Sequence, residues 1–196
     1  MSRPDLVLAS GSAIRAAILK GAGLDFRVQK PAVDEDEIKR EMAGEDLEEI
    51  AMALAVRKAL AVPAPGALVI GSDQIMEFEG RAFDKPKSME EACDRLLDMQ
   101  GKAHTLINAV AVAKDGAIVY RRLDRPKLVM RAMTKRDIEA YLEAAGEGVL
   151  ASVGAYQIES LGAHLFEQIE GDHFAVLGLS LYPLLGFLAG QGVRPF

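Results

Sequence analysis

Residues 67–76, Ala67-Leu68-Val69-Ile70-Gly71-Ser72-Asp73-Gln74-Ile75-Met76, read as the central strand of a sheet interrupted by a carboxylate. Four apolar residues lead into Gly71-Ser72-Asp73, and two more follow Gln74. Such a run belongs where both faces of a strand are covered. Burying an ionised carboxylate there costs several kcal/mol unless a cation or hydrogen-bond donors compensate. Asp73 therefore calls for a partner, a function, or both.

Upstream, a short apolar strand, Leu6 to Ala9, feeds Ser10-Gly11-Ser12 into a helix predicted over 13–20, with Gly21 at its stop. A strand is expected from Asp25 to Gln29, and the acidic run Asp34 to Glu37 reads as a solvated loop. A second helix is predicted over 47–62, with Asp46 as N-cap and Pro63 and Pro65 beyond its end. Downstream, Glu79-Gly80 marks a hairpin tip, and Ser88 to Glu91 is a capping-box pattern opening a helix to about Gln100. Lys114-Asp115-Gly116 joins two apolar runs as a hairpin turn. Lys127 to Met133 and Leu165 to Ile169 read as strands. Helices are expected from Thr134 and over 180–188. Early βα units followed by hairpins predict an α/β fold with a mixed, twisted sheet.

Composition narrows the function. At 196 residues the chain is sized for one domain, or one domain with a small lobe, and 50% hydrophobic residues suffice for a sizeable core. Twenty-three basic against 29 acidic residues give a net charge of −6, which disfavours a general nucleic-acid binder. A local basic pocket for a small polyanion is still compatible with it. The single cysteine, Cys93, excludes an internal disulfide and suits a reducing cytosol, and His104, His164 and His173 have no zinc-ligand spacing. The N-terminal MSRPDLVLAS carries no apolar run long enough for a signal peptide or membrane span. Gly178, Ser180, Pro183 and Gly186 interrupt the apolar run from Phe174 to Leu188. The expectation is a soluble, cytoplasmic protein.

Several polar residues stand where chemistry would need them. Ser10-Gly11-Ser12 before a helix N-terminus can cradle an anion, with Arg15 one turn on. The plain alternative is that a serine caps the helix and Arg15 is solvated. Lys58 continues the apolar stripe Leu47, Ala51 and Leu54, so its ammonium either snorkels outward or points into an enclosed polar site. Arg57, nearer the stripe's edge, reads as solvated. One residue of the acidic run could face inward as a metal ligand. Lys85, before Pro86, is either held in an extended posture or is a surface lysine. Carboxylates and cations gathered at element ends of an α/β sheet suit phosphate chemistry, the carboxylates holding Mg²⁺ or Mn²⁺ through oxygen.

The motifs, in order, resemble one family. They are LASGSAIRAAIL near the N-terminus, VDE at Val33 to Glu35, LAVRKA at Leu54 to Ala59, IGSDQI at Ile70 to Ile75 and DKP at Asp84 to Pro86. GKAH at Gly101 to His104, VGAYQIESLGAHLFEQIEG at Val153 to Gly171 and VLGLSL at Val176 to Leu181 follow. The chain resembles the Maf (septum-formation inhibitor) family of nucleoside triphosphate pyrophosphatases nearly end to end. The resemblance implies one Maf-like domain over 1–196, in an elongated α/β fold with a cleft between two lobes. It implies hydrolysis of the α–β phosphoanhydride of a nucleoside triphosphate, which keeps non-standard nucleotides out of nucleic acids.

The resemblance also assigns residues. It puts the general base on Asp73, the metal on Glu35 and Asp73, and phosphate binding on Ser10, Ser12, Arg15, Lys58 and Lys85. Homodimers are implied, and neither nucleic acid nor membrane is an expected partner. Gln74 and Glu159 match the 7-methyl-GTP type of member rather than the pyrimidine type. A carboxylate accepts from guanine's N1–H and exocyclic amine, which uracil lacks in that pattern. Ala13 and Ile14 stand where the family usually has Pro followed by Arg or Trp, so Ile14 also bears on base preference. Ser180 replaces a common proline, with little consequence expected. Two rivals share these features: a non-catalytic nucleotide sensor regulating division, and a pyrophosphatase acting on deaminated purine triphosphates. A haloacid-dehalogenase-type phosphatase is disfavoured because Asp73-Gln74-Ile75 lacks a second aspartate.

Overall fold

The computed structural model describes residues 4–196. Met1, Ser2 and Arg3, which enter the N-terminal reading, lie outside the described residues. Strands β1 (Leu6–Ala9), β2 (Arg27–Val28), β3 (Leu68–Phe78), β4 (Arg81–Phe83), β5 (Ala103–Lys114), β6 (Ala117–Asp124), β7 (Lys127–Met130) and β8 (Phe166–Glu170) form one sheet of order β2-β1-β3-β5-β7-β8. Strand β4 pairs with β3 and β6 with β5. Strands β2, β1 and β3 run parallel, with Leu8 opposite Ile70, whereas the pairs β3–β4, β5–β6, β5–β7 and β7–β8 are antiparallel. The helices are α1 (Ala13–Gly21), α2 (Glu35–Glu41), α3 (Leu47–Leu60), α4 (Met89–Met99), α5 (Lys135–Ala145), α6 (His173–Val176) and α7 (Leu181–Gly190). The fold is the mixed α/β architecture the sequence predicts, and no helix of the described residues is long and apolar enough to cross a membrane.

The boundaries differ where local chemistry is strong. The acidic run is a helix rather than a loop: Asp34 Oδ1 accepts from Glu37 N at 2.9 Å, and the three acidic residues of the first turn suit the positive end of α2. Strand β2 has two residues rather than five, and β7 stops at Met130 rather than Met133.

The chain divides into two compact units. One comprises the residues up to Gln74, with Ile107–Asp124 and Asp172–Phe196; the other is Ile75–Leu106 with Arg125–Gly171. In the first, β1 is buried along its whole length, and Leu6, Leu8, Leu68 and Ile70 join Leu19, Val110, Val112, Leu184 and Leu188 in one apolar cluster. In the second, α4 buries Ala92, Leu96 and Met99, and α5 buries Ile138, Tyr141 and Leu142.

The second unit also buries His104, whose Nε2 lies 2.7 Å from Tyr156 Oη and whose ring packs 5.9 Å from that of Phe166, centroid to centroid. Nδ1 has no hydrogen-bond partner among the described residues. Burial pushes the imidazole's pKa down from 6.5 to about 4. Below pH 6.5 the unfolded chain takes up this proton and the folded chain does not, so stability falls as pH drops from 6.5 towards 4. The whole shift amounts to roughly 3 kcal/mol. Urea midpoints measured from pH 7 to pH 4 should fall, and the fall should be shallower for His104→Gln. Equal slopes would remove His104 as the source.

Candidate active site

Asp73 finds its cation one element away. Helix α3 buries Ile50, Ala51, Leu54, Ala55, Lys58 and Ala59, a wider arc than the predicted stripe. It lies against β3 at Gly71. A Cβ there would stand 2.2 Å from the Ala55 carbonyl oxygen and 2.6 Å from Ala59 N, both backbone atoms, so only glycine permits this approach. The close packing sets Lys58 beside Asp73, and its Nζ lies 2.6 Å from Asp73 Oδ1. The same ammonium lies 2.9 Å from Glu35 Oε1 at the start of α2. Lys58 and Asp73 are 7% and 6% exposed, while the Glu35 side chain keeps 48% of its surface in solvent. Of the two readings of Lys58, the enclosed polar site is the one found. Arg57, read as solvated, is exposed and pairs only loosely with Glu41 at 3.7 Å.

The loop from β1 to α1 borders this site. Ser12 caps α1, accepting from Arg15 N at 3.5 Å. Arg15 is half-buried and hydrogen-bonded rather than free in solvent. Its Nε donates to the Gly178 carbonyl at 2.8 Å, and its Nη1 to the Ser72 carbonyl at 2.9 Å and to Ser10 Oγ at 3.3 Å. Burial lowers the pKa of the guanidinium, against the opposing pull of Asp73 and Glu35. Arg15 is thus a held charge, bonded to the residue before Asp73 and feeling the field of both carboxylates, as well as a fastener of β3. Ser72 Oγ donates to the same Gly178 carbonyl at 2.9 Å, and the φ of +98° at Gly178 suits glycine.

Asn108, on β5, has a role that the sequence reading missed. It is fully buried; its Nδ2 donates to the Asp73 carbonyl at 3.3 Å, and its Oδ1 accepts from Ser180 N at 3.1 Å and Ser180 Oγ at 2.8 Å. A polar residue inside Leu106-Ile107-Asn108-Ala109-Val110 is the same signal that singled out Asp73. Ser180 matters more than expected, since a proline there would supply neither donor. Gln74, expected to select the base, spends its amide nitrogen on the Ala175 and Val176 carbonyls of α6, at 2.9 and 3.1 Å. Ile14 lies half-buried on α1. Lys85 and Glu159 are exposed residues of the second unit.

Among the described residues, no group of three or more His, Cys, Asp or Glu side chains could hold a metal ion. Glu35 and Asp73 nevertheless share one ammonium, through Oε1 and Oδ1. They form a pair of hard oxygen donors, and Mg²⁺ is held by one or two carboxylates plus substrate phosphates. The donor set fits such an ion.

A model of the protein family described as "Maf-like protein" matches residues 5–191. The protein named "Nucleoside triphosphate pyrophosphatase" of Nitrobacter hamburgensis is 46% identical over 190 residues, 96% of this chain and 94% of the relative. Proteins of the same name from Hyphomonas neptunium and Caulobacter vibrioides are each 45% identical, over 97% and 98% of this chain and 98% of each relative. With the motif order, the sheet and the Glu35–Lys58–Asp73 cluster already in place, these matches put this chain in the Maf-like protein family.

Proposed function

We propose that this chain is a nucleoside triphosphate pyrophosphatase. Water attacks the α-phosphorus, the bond from that phosphorus to the bridging oxygen of the β-phosphate breaks, and a nucleoside monophosphate and pyrophosphate result. The observation that carries the reading is the Lys58 ammonium bridging Asp73 and Glu35 beside Arg15. Asp73 accepts the proton of the attacking water. Lys58 and Arg15 set positive charge where phosphate charge develops, and Lys85 adds a further cation for phosphate. A Mg²⁺ or Mn²⁺ ion held by Glu35 and Asp73 would neutralise phosphate oxygens and acidify water. The relatives' shared name supports the same reaction.

The preferred base is 7-methylguanine over uracil and thymine. Gln74, with its amide nitrogen engaged, has Oε1 as its acceptor, and the Glu159 carboxylate is likewise an acceptor. Guanine presents N1–H and an exocyclic amine to such groups. The test is a panel of UTP, dTTP, CTP, GTP, 7-methyl-GTP, ITP and XTP with Mg²⁺ or Mn²⁺, scored for monophosphate and pyrophosphate. 7-Methyl-GTP should lead UTP and dTTP by about tenfold or more in kcat/KM. No monophosphate from any nucleotide sinks the reaction; UTP or dTTP in the lead sinks only the base assignment.

A further inference from the structure

Two side chains of α4 hold the loop that carries Lys85. Arg95 is 7% exposed and lies on the buried arc with Ala92, Leu96 and Met99, a place where an apolar residue would be ordinary. Its Nη1 donates to the carbonyl of Asp84, the residue before Lys85, and to the carbonyl of Val153. Nη2 pairs with Glu91 Oε1 at 2.9 Å, and the guanidinium lies 5.2 Å from the centre of the Phe83 ring. The other oxygen of Glu91, Oε2, accepts from Lys87 N at 2.8 Å. The backbone is therefore tied on both sides of Lys85-Pro86 to one Arg95–Glu91 pair. Pro86 is itself buried, while Lys85 is exposed. The Val153 carbonyl joins the same guanidinium to the stretch leading to Glu159.

A buried guanidinium is costly unless its donors are met, and an apolar side chain would fill the arc more cheaply. What the charge adds is a tie between two loops that have no regular ladder of their own, Nη1 reaching both carbonyls while Nη2 holds Glu91. We infer that Arg95, acting with Glu91, is a positioning residue: it fixes the backbone around Lys85 and so holds the posture of an ammonium read as binding phosphate. The inference rests on the phosphate-binding reading of Lys85. Arg95 itself touches no substrate, so its effect passes through Lys85. A side chain whose effect passes wholly through another adds nothing once that other is gone.

The experiment is a cycle of Arg95→Gln, Lys85→Ala and the double variant, assayed for triphosphate hydrolysis, with hydrogen exchange followed at the Lys87 amide. Arg95→Gln should lower kcat by about tenfold with KM within about twofold, since it loosens a group that acts on developing charge. The double variant should be no slower than Lys85→Ala, and the Lys87 amide should exchange faster than in the wild type. Glu91→Ala, a change at a half-exposed site, repeats the test should Arg95→Gln fold poorly. Wild-type kcat in a folded Arg95→Gln or Glu91→Ala, with Lys85→Ala impaired, overturns the positioning role alone. So does a loss that multiplies fully in the double variant. Wild-type activity in Lys85→Ala overturns the reading of Lys85 and the positioning role with it, even where the amide exchanges faster.

Discussion

Asp73→Asn is expected to lower kcat by about a thousandfold while leaving the fold in place. The substitution keeps size and shape, and the asparagine Oδ1 can still accept from Lys58 Nζ, which lies 2.6 Å away in the wild type. What disappears is the carboxylate's capacity to take a proton from water; a positioned general base contributes about 10²–10⁴-fold. The upper half of that range is expected here because, on the proposed reading, the same carboxylate would also be one of the two oxygen donors for a divalent ion. A thousandfold is about 4 kcal/mol of transition-state stabilisation. The measurement is pyrophosphate release under saturating triphosphate, alongside equilibrium binding of an α,β-methylene triphosphate and a melting curve. Binding should fall far less than turnover, and melting should stay close to wild type, because Lys58 keeps Glu35 as its counter-charge at 2.9 Å and the Asn108 bond to the residue 73 carbonyl is a main-chain contact. Wild-type turnover in a folded variant would remove Asp73 as the base.

Much of this site was legible because the sequence breaks its own patterns there. Asp73 stands out in an apolar strand and Lys58 on an apolar helical arc, and the structure joins the two misfits in one ion pair. Asn108 and Arg95 break their patterns in the same way, in β5 and on α4, and the same rule applied evenly would have singled them out. The hairpin tips at Glu79-Gly80 and Asp115-Gly116 were legible from turn chemistry, which acts within a few residues. What could not be read were contacts set by distant packing. Nothing local says that Gly71 must admit the backbone of α3, or that the carbonyl of Gly178 receives both Arg15 and Ser72. Nor does the local pattern tell a capped acidic helix from a solvated loop, since Asp34 to Glu37 contains no apolar residue to mark a period.

Lys58→Met should be nearly as damaging to turnover and, unlike Asp73→Asn, should also cost stability. Methionine fills much of the same volume and keeps the apolar stem, so the change isolates the ammonium. Its loss leaves Asp73, 6% exposed, and Glu35 facing each other without the charge that joined them. Removing one partner of a fully buried ion pair costs about 3–5 kcal/mol. Glu35 is half in solvent, and that exposure brings the expected loss down to about 2 kcal/mol. Chemical denaturation reads that difference directly. In turnover, losing the charge proposed to act on the phosphates should lower kcat by about 10²–10³-fold. Lys58→Arg separates charge from shape: it restores the charge, but a planar fork replaces a point donor held 2.6 and 2.9 Å from its two carboxylates. It should regain most of the lost stability and only a small part of the rate. Full recovery of rate would mean that Lys58 supplies charge alone, with no need for the geometry that Gly71 and the close approach of α3 create.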